Sequence, residues 1–508
     1  MANRNESPSQ EPSIEEQPQP QPQGHCKENE YVNTVHETIE LQDDPRKWSP
    51  MRKWITLATV ANGSLVVGFA PNIYNPAINA IKSSLHAQDW HISLTLSLFI
   101  LLSGIFPMPW SLTSELVGRK RVYMVSLTIA LGGYIGAAVA NSIGLLIGMR
   151  CIQAMGNSSL FSVGAGSLTD IYDVHERGTK FGIYYAAPML GPSLGPVLGG
   201  ILTRYLSWRA TFWFLAIWIG VTIFSVLALM KESFRKDRST TYQDALAIRT
   251  EKIARRQSQA IHRSSCEEGA SHPSSRSKIN VYPTDLRVAT SLKRVVKKRN
   301  NVVLLIATGL NYGFTYSISY TCTLSLSDKY HLDALKIGLV LLAYGLGSMA
   351  GSVLGGRYSD YLLARSRSLN NTAVAPSEVR LATTIPGLII MPALCLAYGW
   401  MAQYAVHISG IAIILFFGGL SSIWVYSPTM SYLLDINPGN TTVTVACNSF
   451  IRGLLAFLFA EVAVPLQNAI GDGGLYSLWA GLWALCAVLV LIVYFKGGHW
   501  RAQSSSSV

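Results

Sequence analysis

The chain has 508 residues, 49% of them hydrophobic and 14% charged, with a mean hydropathy of +0.27. Both fractions depart from the soluble average toward a lipid-facing protein, and an uncharged stretch such as 55–81 cannot be a water-facing helix. The formal net charge of +12 sits in short gaps between apolar runs, which excludes nucleic acid as a partner, and seven scattered cysteines give neither a disulfide framework nor a zinc site. No cofactor is implied.

Residues 1–45, rich in Gln, Pro, Glu and Ser and lacking an apolar core segment, predict a disordered cytoplasmic tail and not a signal peptide. At about 20 mostly apolar residues per crossing, membrane helices are expected near 54–74, 92–111, 122–140, 143–167, 180–203 and 210–230. Six more follow near 302–326, 336–356, 381–401, 406–430, 442–466 and 474–495. The polar stretch 231–300, with Arg235-Lys236, Arg255-Arg256 and Lys297-Lys298-Arg299, predicts a basic cytoplasmic linker, either a solvated tether or a segment that touches anionic lipid. The expected fold is an all-α membrane protein of about twelve crossings, with one six-helix half at 46–230, another at 301–497, and a short cytoplasmic tail at 498–508.

Lys and Arg near segment ends stay on the cytoplasmic side. Arg46, Lys47, Arg52 and Lys53 precede the first segment, Arg119-Lys120-Arg121 separate the second and third, and Arg177 and Lys180 lie between the fourth and fifth. The alternate connections Asn141-Ser142 and 402–407 carry almost no charge. Both termini are therefore expected in the cytoplasm.

In the fifth segment Gly191, Gly195 and Gly199 recur every four residues, with Pro192 and Pro196 between them. The spacing puts the glycines on one face for close backbone approach, and each proline removes a helical hydrogen bond. Gly347, Gly351 and Gly355 make a matching stripe in the eighth segment. Either both stripes serve static packing, or they face each other as the moving seam of a two-half carrier. After the second segment, Glu115, Gly118, Arg119 and Lys120 place a carboxylate, a turn and two cations together, and the second half echoes the acid at Asp360. Such a set predicts a charge latch or, more simply, topological anchoring.

Arg150, Gln153 and Asn157 share one face of the fourth segment. An intramembrane arginine faces a cavity or partner, or else snorkels to the interface. The eleventh segment holds Asn448, Arg452 and Glu461, the last being the carboxylate placed well within a span; coupling to protons and snorkelling are both open to it. Asn62, Asn72, Tyr74, Tyr184, Tyr185, Asn311, Tyr312, Tyr316, Trp424 and Tyr426 predict an aromatic, amide-rich lining suited to organic ligands, with some of the rings serving as interface anchors.

Taken together, these motifs resemble the fungal branch of the major facilitator superfamily, nearest its twelve-helix drug-proton antiporters. The resemblance rests on the fifth-helix run 191–200, the loop 111–121, the fourth-helix run Arg150-Cys151-Ile152-Gln153-Ala154-Met155-Gly156, and Asp44-Pro45-Arg46-Lys47-Trp48-Ser49 ahead of the first helix. Ser111, Glu115 and Leu116 depart from the family's loop signature, and the second-half copy lacks its glycine-basic ending. The resemblance implies a monomeric, proton-coupled carrier, not an enzyme, that moves a drug-like compound, secondary metabolite or small organic acid out through the cell membrane, with Arg150 in proton exchange or gating. Organic-acid uptake or exchange is the neighbouring expectation, and a receptor that binds without transport is the distant one.

Overall fold

A computed structural model describes residues 44–172, 174–235, 242–243, 246–255, 295–370, 378–437 and 441–505. Residues 1–43 of the tail expected at 1–45, and most of the linker expected at 231–300, lie outside these residues. The side chains of Tyr185, Pro192 and Asp360 are also outside them.

In lipid every backbone N–H and C=O must be paired within its own segment, and apolar runs of this length therefore close into helices. We number them α1 (Pro50–Ser84), α2 (Asp89–Val117), α3 (Arg119–Ala138), α4 (Ile143–Ile171), α5 (Val174–Tyr205) and α6 (Trp208–Leu229). The second half contributes α7 (Arg299–Asp328), α8 (Ala334–Asn370), α9 (Glu378–Gln403) and α10 (Ile408–Asp435). A final run, Thr441–Ser505, breaks where Gly471 takes φ 73°, and gives α11 at 441–470 and α12 at 472–505. Among the described residues nine runs are apolar and long enough to span a bilayer, the last of them doubled at that break. Helices α4 and α5 complete the twelve at 29 and 32 residues.

Local chemistry sets the helix ends. Pro50 and Pro107 begin helical pieces, where a missing N–H costs nothing, and the Ser142 hydroxyl accepts from Leu145 N at the start of α4. Between α2 and α3 the chain turns at Gly118 with φ 107°, and a Cβ there would lie 2.6 Å from Glu232 Oε2. Only glycine fits both conditions.

Helices α1–α6 build one buried core, to which α7 and α11 add Tyr320, Ala456 and Val464, and α7–α12 build another. In the first half α1 packs on α4, α5 and α6, and α3 on α4 and α6; in the second, α8 packs on α10, and α7 and α9 on the α11–α12 run. The halves meet where α5 lies against α8 and α2 against α11. Apolar side chains such as Ile217, Phe224, Ile389 and Phe495 stand on the perimeter, at least two-thirds exposed. Rings and branched chains pointing outward in such numbers fit lipid as the surrounding solvent.

Candidate functional site

The fourth helix carries Arg150 into the interior, where it has no exposed surface and cannot snorkel. Its Nη1 donates to Ala70 O (3.0 Å) and to Gln153 Oε1 (3.2 Å). The guanidinium carbon stands 4.3 Å from the centre of the Phe99 ring, 4.9 Å from Tyr74 and 5.9 Å from Phe212. These ring faces compensate part of the charge's desolvation. Nε and Nη2 have no hydrogen-bond partner, and among the described residues no carboxylate comes within ion-pair reach.

A second arginine enters from the other half. Arg452 on α11 lies 3.8 Å from the Tyr312 ring centre and 4.6 Å from that of Tyr426, and its Nη1 donates to the Tyr426 hydroxyl at 2.8 Å. Asn448 leans on the same hydroxyl (3.4 Å) and accepts from Thr308 Oγ1 (2.7 Å). Tyr312 stacks edge-on with Tyr316 at 4.8 Å, their hydroxyls 3.2 Å apart. Tyr312 and Tyr316 also pack against the buried core of the first half, which contains Tyr74 and Phe99. The two clusters therefore converge from opposite halves.

Other residues expected to line a cavity fasten helices instead. Asn311 both donates to Ser422 O and accepts from its hydroxyl, tying α7 to α10. Gln153 donates to Gly133 O and Asn157 to the Tyr134 hydroxyl, tying α4 to α3; Asn62 donates to Thr222 Oγ1, tying α1 to α6. Asn72 donates to Gly68 O within α1, and Tyr184 donates to the Leu160 and Phe161 carbonyls of α4. Trp424 donates to Thr383 O beside Gly355, on the α9 side of α10. Tyr74, by contrast, belongs to the arginine box, its hydroxyl 2.7 Å from Thr95 Oγ1.

The glycine stripes do not meet at the seam. A Cβ on Gly191 would strike the backbone of Gly68, one on Gly195 would lie 2.9 Å from Asn72 Cβ, and one on Gly199 would strike Ile73, so this stripe seats α5 on α1 within its own half. Gly347 and Gly351 likewise face Phe416 and Leu420 of α10, with Gly355 on Trp424. The seam uses different glycines. A Cβ on Gly200 would sit 2.6 Å from Ala334 O, one on Gly338 2.8 Å from the Pro196 carbonyl carbon, and one on Gly104 2.9 Å from Gly453 Cα.

Polar contacts across the seam cluster toward the end of the bundle that holds the α1–α2, α5–α6 and α7–α8 turns. Arg204 pairs with Asp333 at 2.5 Å and Asn79 donates to Ser327 at 2.5 Å. Ser93 donates to Ala460 O at 3.1 Å, and Ser97 donates to Glu461 Oε1. Glu461 is thus a seam residue, bonded to the opposite half.

At the other end, two further acids join the loop that carries Glu115, Arg119 and Lys120. Arg119 Nε donates to Asp170 at 3.2 Å and its Nη1 to Ser114, both in the same half. Glu232 caps α3 by accepting from the backbone N–H groups of Arg119 (2.9 Å) and Lys120 (3.1 Å), a carboxylate at a helix N-terminus. The sequence reading missed both acids, and also Asp472. That buried carboxylate accepts from Ser325 Oγ (2.9 Å), Gln467 Nε2 (2.6 Å) and Lys329 Nζ (2.6 Å). The Gly471-Asp472-Gly473-Gly474 run reads as a surface turn, and only the packing of α7 against α12 buries it.

The chain matches the Major Facilitator Superfamily over residues 60–460 and belongs to that family of transporters, carriers of small organic substrates. It is 25% identical to the MFS antiporter QDR3 of Candida albicans (91% of this chain, 80% of that protein). It is 26% identical to citrate exporter 1 of Aspergillus niger (91% and 90%) and 28% identical to dityrosine transporter 1 of Saccharomyces cerevisiae (83% and 75%). Among solved structures, the D-xylose-proton symporter superposes with a TM-score of 0.62 at 13% identity, covering 86% of this chain and 97% of that one. That likeness fixes the fold. The chain is a multi-pass membrane transporter of two six-helix halves, not an enzyme.

Proposed function

We propose that the protein exports a small organic compound across the cell membrane by alternating access, driven by protons moving inward. The observation that carries this reading is the split site: Arg150 and Tyr74 belong to one half, Arg452, Tyr312 and Tyr426 to the other, and Tyr316 lies between. A site divided in this way changes its exposure when the halves rock. Similarity to proteins named antiporter and exporter supports the outward direction. Basic residues before α1, between α2 and α3 and after α12 support cytoplasmic termini. The contacts Arg204–Asp333, Asn79–Ser327 and Ser97–Glu461 then form the outer closure.

Glu461 is the proposed proton carrier. As a carboxylate it accepts from Ser97 across the seam, and a proton added there changes the bond that joins the halves. In proteoliposomes, Glu461→Gln is expected to abolish acceleration of efflux by an inwardly directed pH gradient while leaving substrate exchange at equal pH. Unchanged pH dependence in that variant removes Glu461 from the role and favours an organic-acid exchanger.

A further inference from the structure

We propose that the cargo is an organic anion, and that its carboxylate is gripped by the Nε–Nη2 edge of Arg452, between Tyr312 and Tyr426. This deepens the transport reading above and rests on it.

The first argument is a charge inventory. Within the helical core, Arg150 and Arg452 are described guanidinium groups that face aromatic rings and not carboxylates. Glu461 lies nine residues from Arg452, about 13–14 Å along the helix at 1.5 Å per residue, and already accepts from Ser97. Among the described residues neither arginine has a carboxylate partner, and Tyr312 and Tyr316 pack against the core of the half that holds Arg150. Two guanidinium charges of one sign inside the bundle favour an anion between them and repel a cation.

The second argument is hydrogen-bond geometry. A guanidinium binds a carboxylate best through two parallel N–H donors on one edge. Tyr426 takes only Nη1 of Arg452, while Nε is buried without a partner and no acceptor stands at Nη2. On this partly exposed arginine the Nε–Nη2 edge, with no acceptor among the described residues, offers two parallel donors to a carboxylate. Arg150 plays a different part. It is sealed behind Phe99 and Tyr74, so it contributes field and not contact.

The third is the frame. Tyr312 and Tyr426 turn ring faces toward Arg452, and Tyr316 packs edge-on against Tyr312 with the two hydroxyls 3.2 Å apart. Rings of this kind favour a flat or unsaturated carbon body over a bare inorganic ion.

The purified full-length protein in detergent and in liposomes tests this with three probes: phthalate, its neutral isostere phthalamide, and the cationic dye rhodamine 6G. Tryptophan fluorescence is expected to give phthalate binding roughly tenfold or more tighter than phthalamide. Arg452→Gln should erase that difference, and Arg452→Lys should restore part of it by keeping charge without the fork. Phthalamide binding as tightly as phthalate to the wild type overturns the proposal without relying on any variant. So does phthalate affinity that Arg452→Gln leaves unchanged, or an absence of phthalate binding. Counterflow separates the two readings: rhodamine flux indifferent to Arg452→Gln keeps the transporter and removes the anion. Arg452-dependent phthalate binding with no counterflow of any probe keeps the anion site and removes the transport reading.

Discussion

Asp170 holds Arg119 at the end of the bundle proposed to face the cytoplasm, and also accepts from Ser233. With Asp170→Asn the guanidinium, 5% exposed, loses the carboxylate to which its Nε donates. Losing a charge-assisted bond at a buried donor costs about 1–3 kcal/mol, so the detergent unfolding midpoint should fall by several degrees. Glu251→Gln, which breaks an exposed i,i+4 pair with Arg255, should leave it unmoved. Equal midpoints for the two variants would contradict the difference drawn between these pairs. At this scale the sequence is ambiguous for a physical reason. Helical periodicity says which face a polar residue occupies, but not what stands opposite. Asn311, Gln153, Asn157 and Asn62 look like cavity lining, yet each finds a neighbouring helix to bond. Arg150 and Arg452 remain as site candidates because tyrosine and phenylalanine rings, not carboxylates, surround them. Asp170, Glu232 and Asp472 sit at helix ends, where an acid in the sequence carries no sign of the cation or backbone N–H that packing brings to it.

Among elements, the crossings themselves were legible, because twenty apolar residues in lipid have little choice but helix. The facing of the glycine stripes was not. A stripe states that some backbone comes close, and the partner is decided by the fold: α1 for Gly191, α10 for Gly347. Two kinds of glycine follow, with separable phenotypes. Gly191→Ala puts a methyl into the Gly68 backbone inside one half, so it should lower the unfolding midpoint. Gly356→Ala, with nothing within 4 Å, should be neutral or slightly stabilising through helix propensity. Gly104→Ala intrudes on Ser449 and Gly453 of the opposite half. Halves that rock can avoid that clash by staying apart, and the expected result is a near-normal midpoint with reduced transport. A midpoint loss for Gly104→Ala as large as for Gly191→Ala would mean that α2 and α11 do not separate.

For the whole molecule, glycines seat helices both within each half and across the seam. Inside a half, buried amides such as Gln153 and Asn311 tie neighbouring helices. Between halves the polar contacts among the described residues are Ser93 with the Ala460 carbonyl, Ser97 with Glu461, Asn79 with Ser327, and Arg204 with Asp333, both of the last over 40% exposed at the side chain. Exposed pairs of this last sort are worth about 0.2–1 kcal/mol each, small enough for cargo binding to outweigh. A closure built from weak, separate contacts can open without unfolding either half, as a two-state carrier requires. Tying one of them covalently removes that freedom. Cysteines at 79 and 327, joined by a short bifunctional thiol reagent, should stop transport while the cargo still binds from the cytoplasmic side; a reducible reagent should allow recovery. The single-cysteine controls should keep transporting after the same treatment. Flux that survives complete cross-linking would show that α1 and α7 need not separate at this end, and the rocking of the two halves would then be wrong.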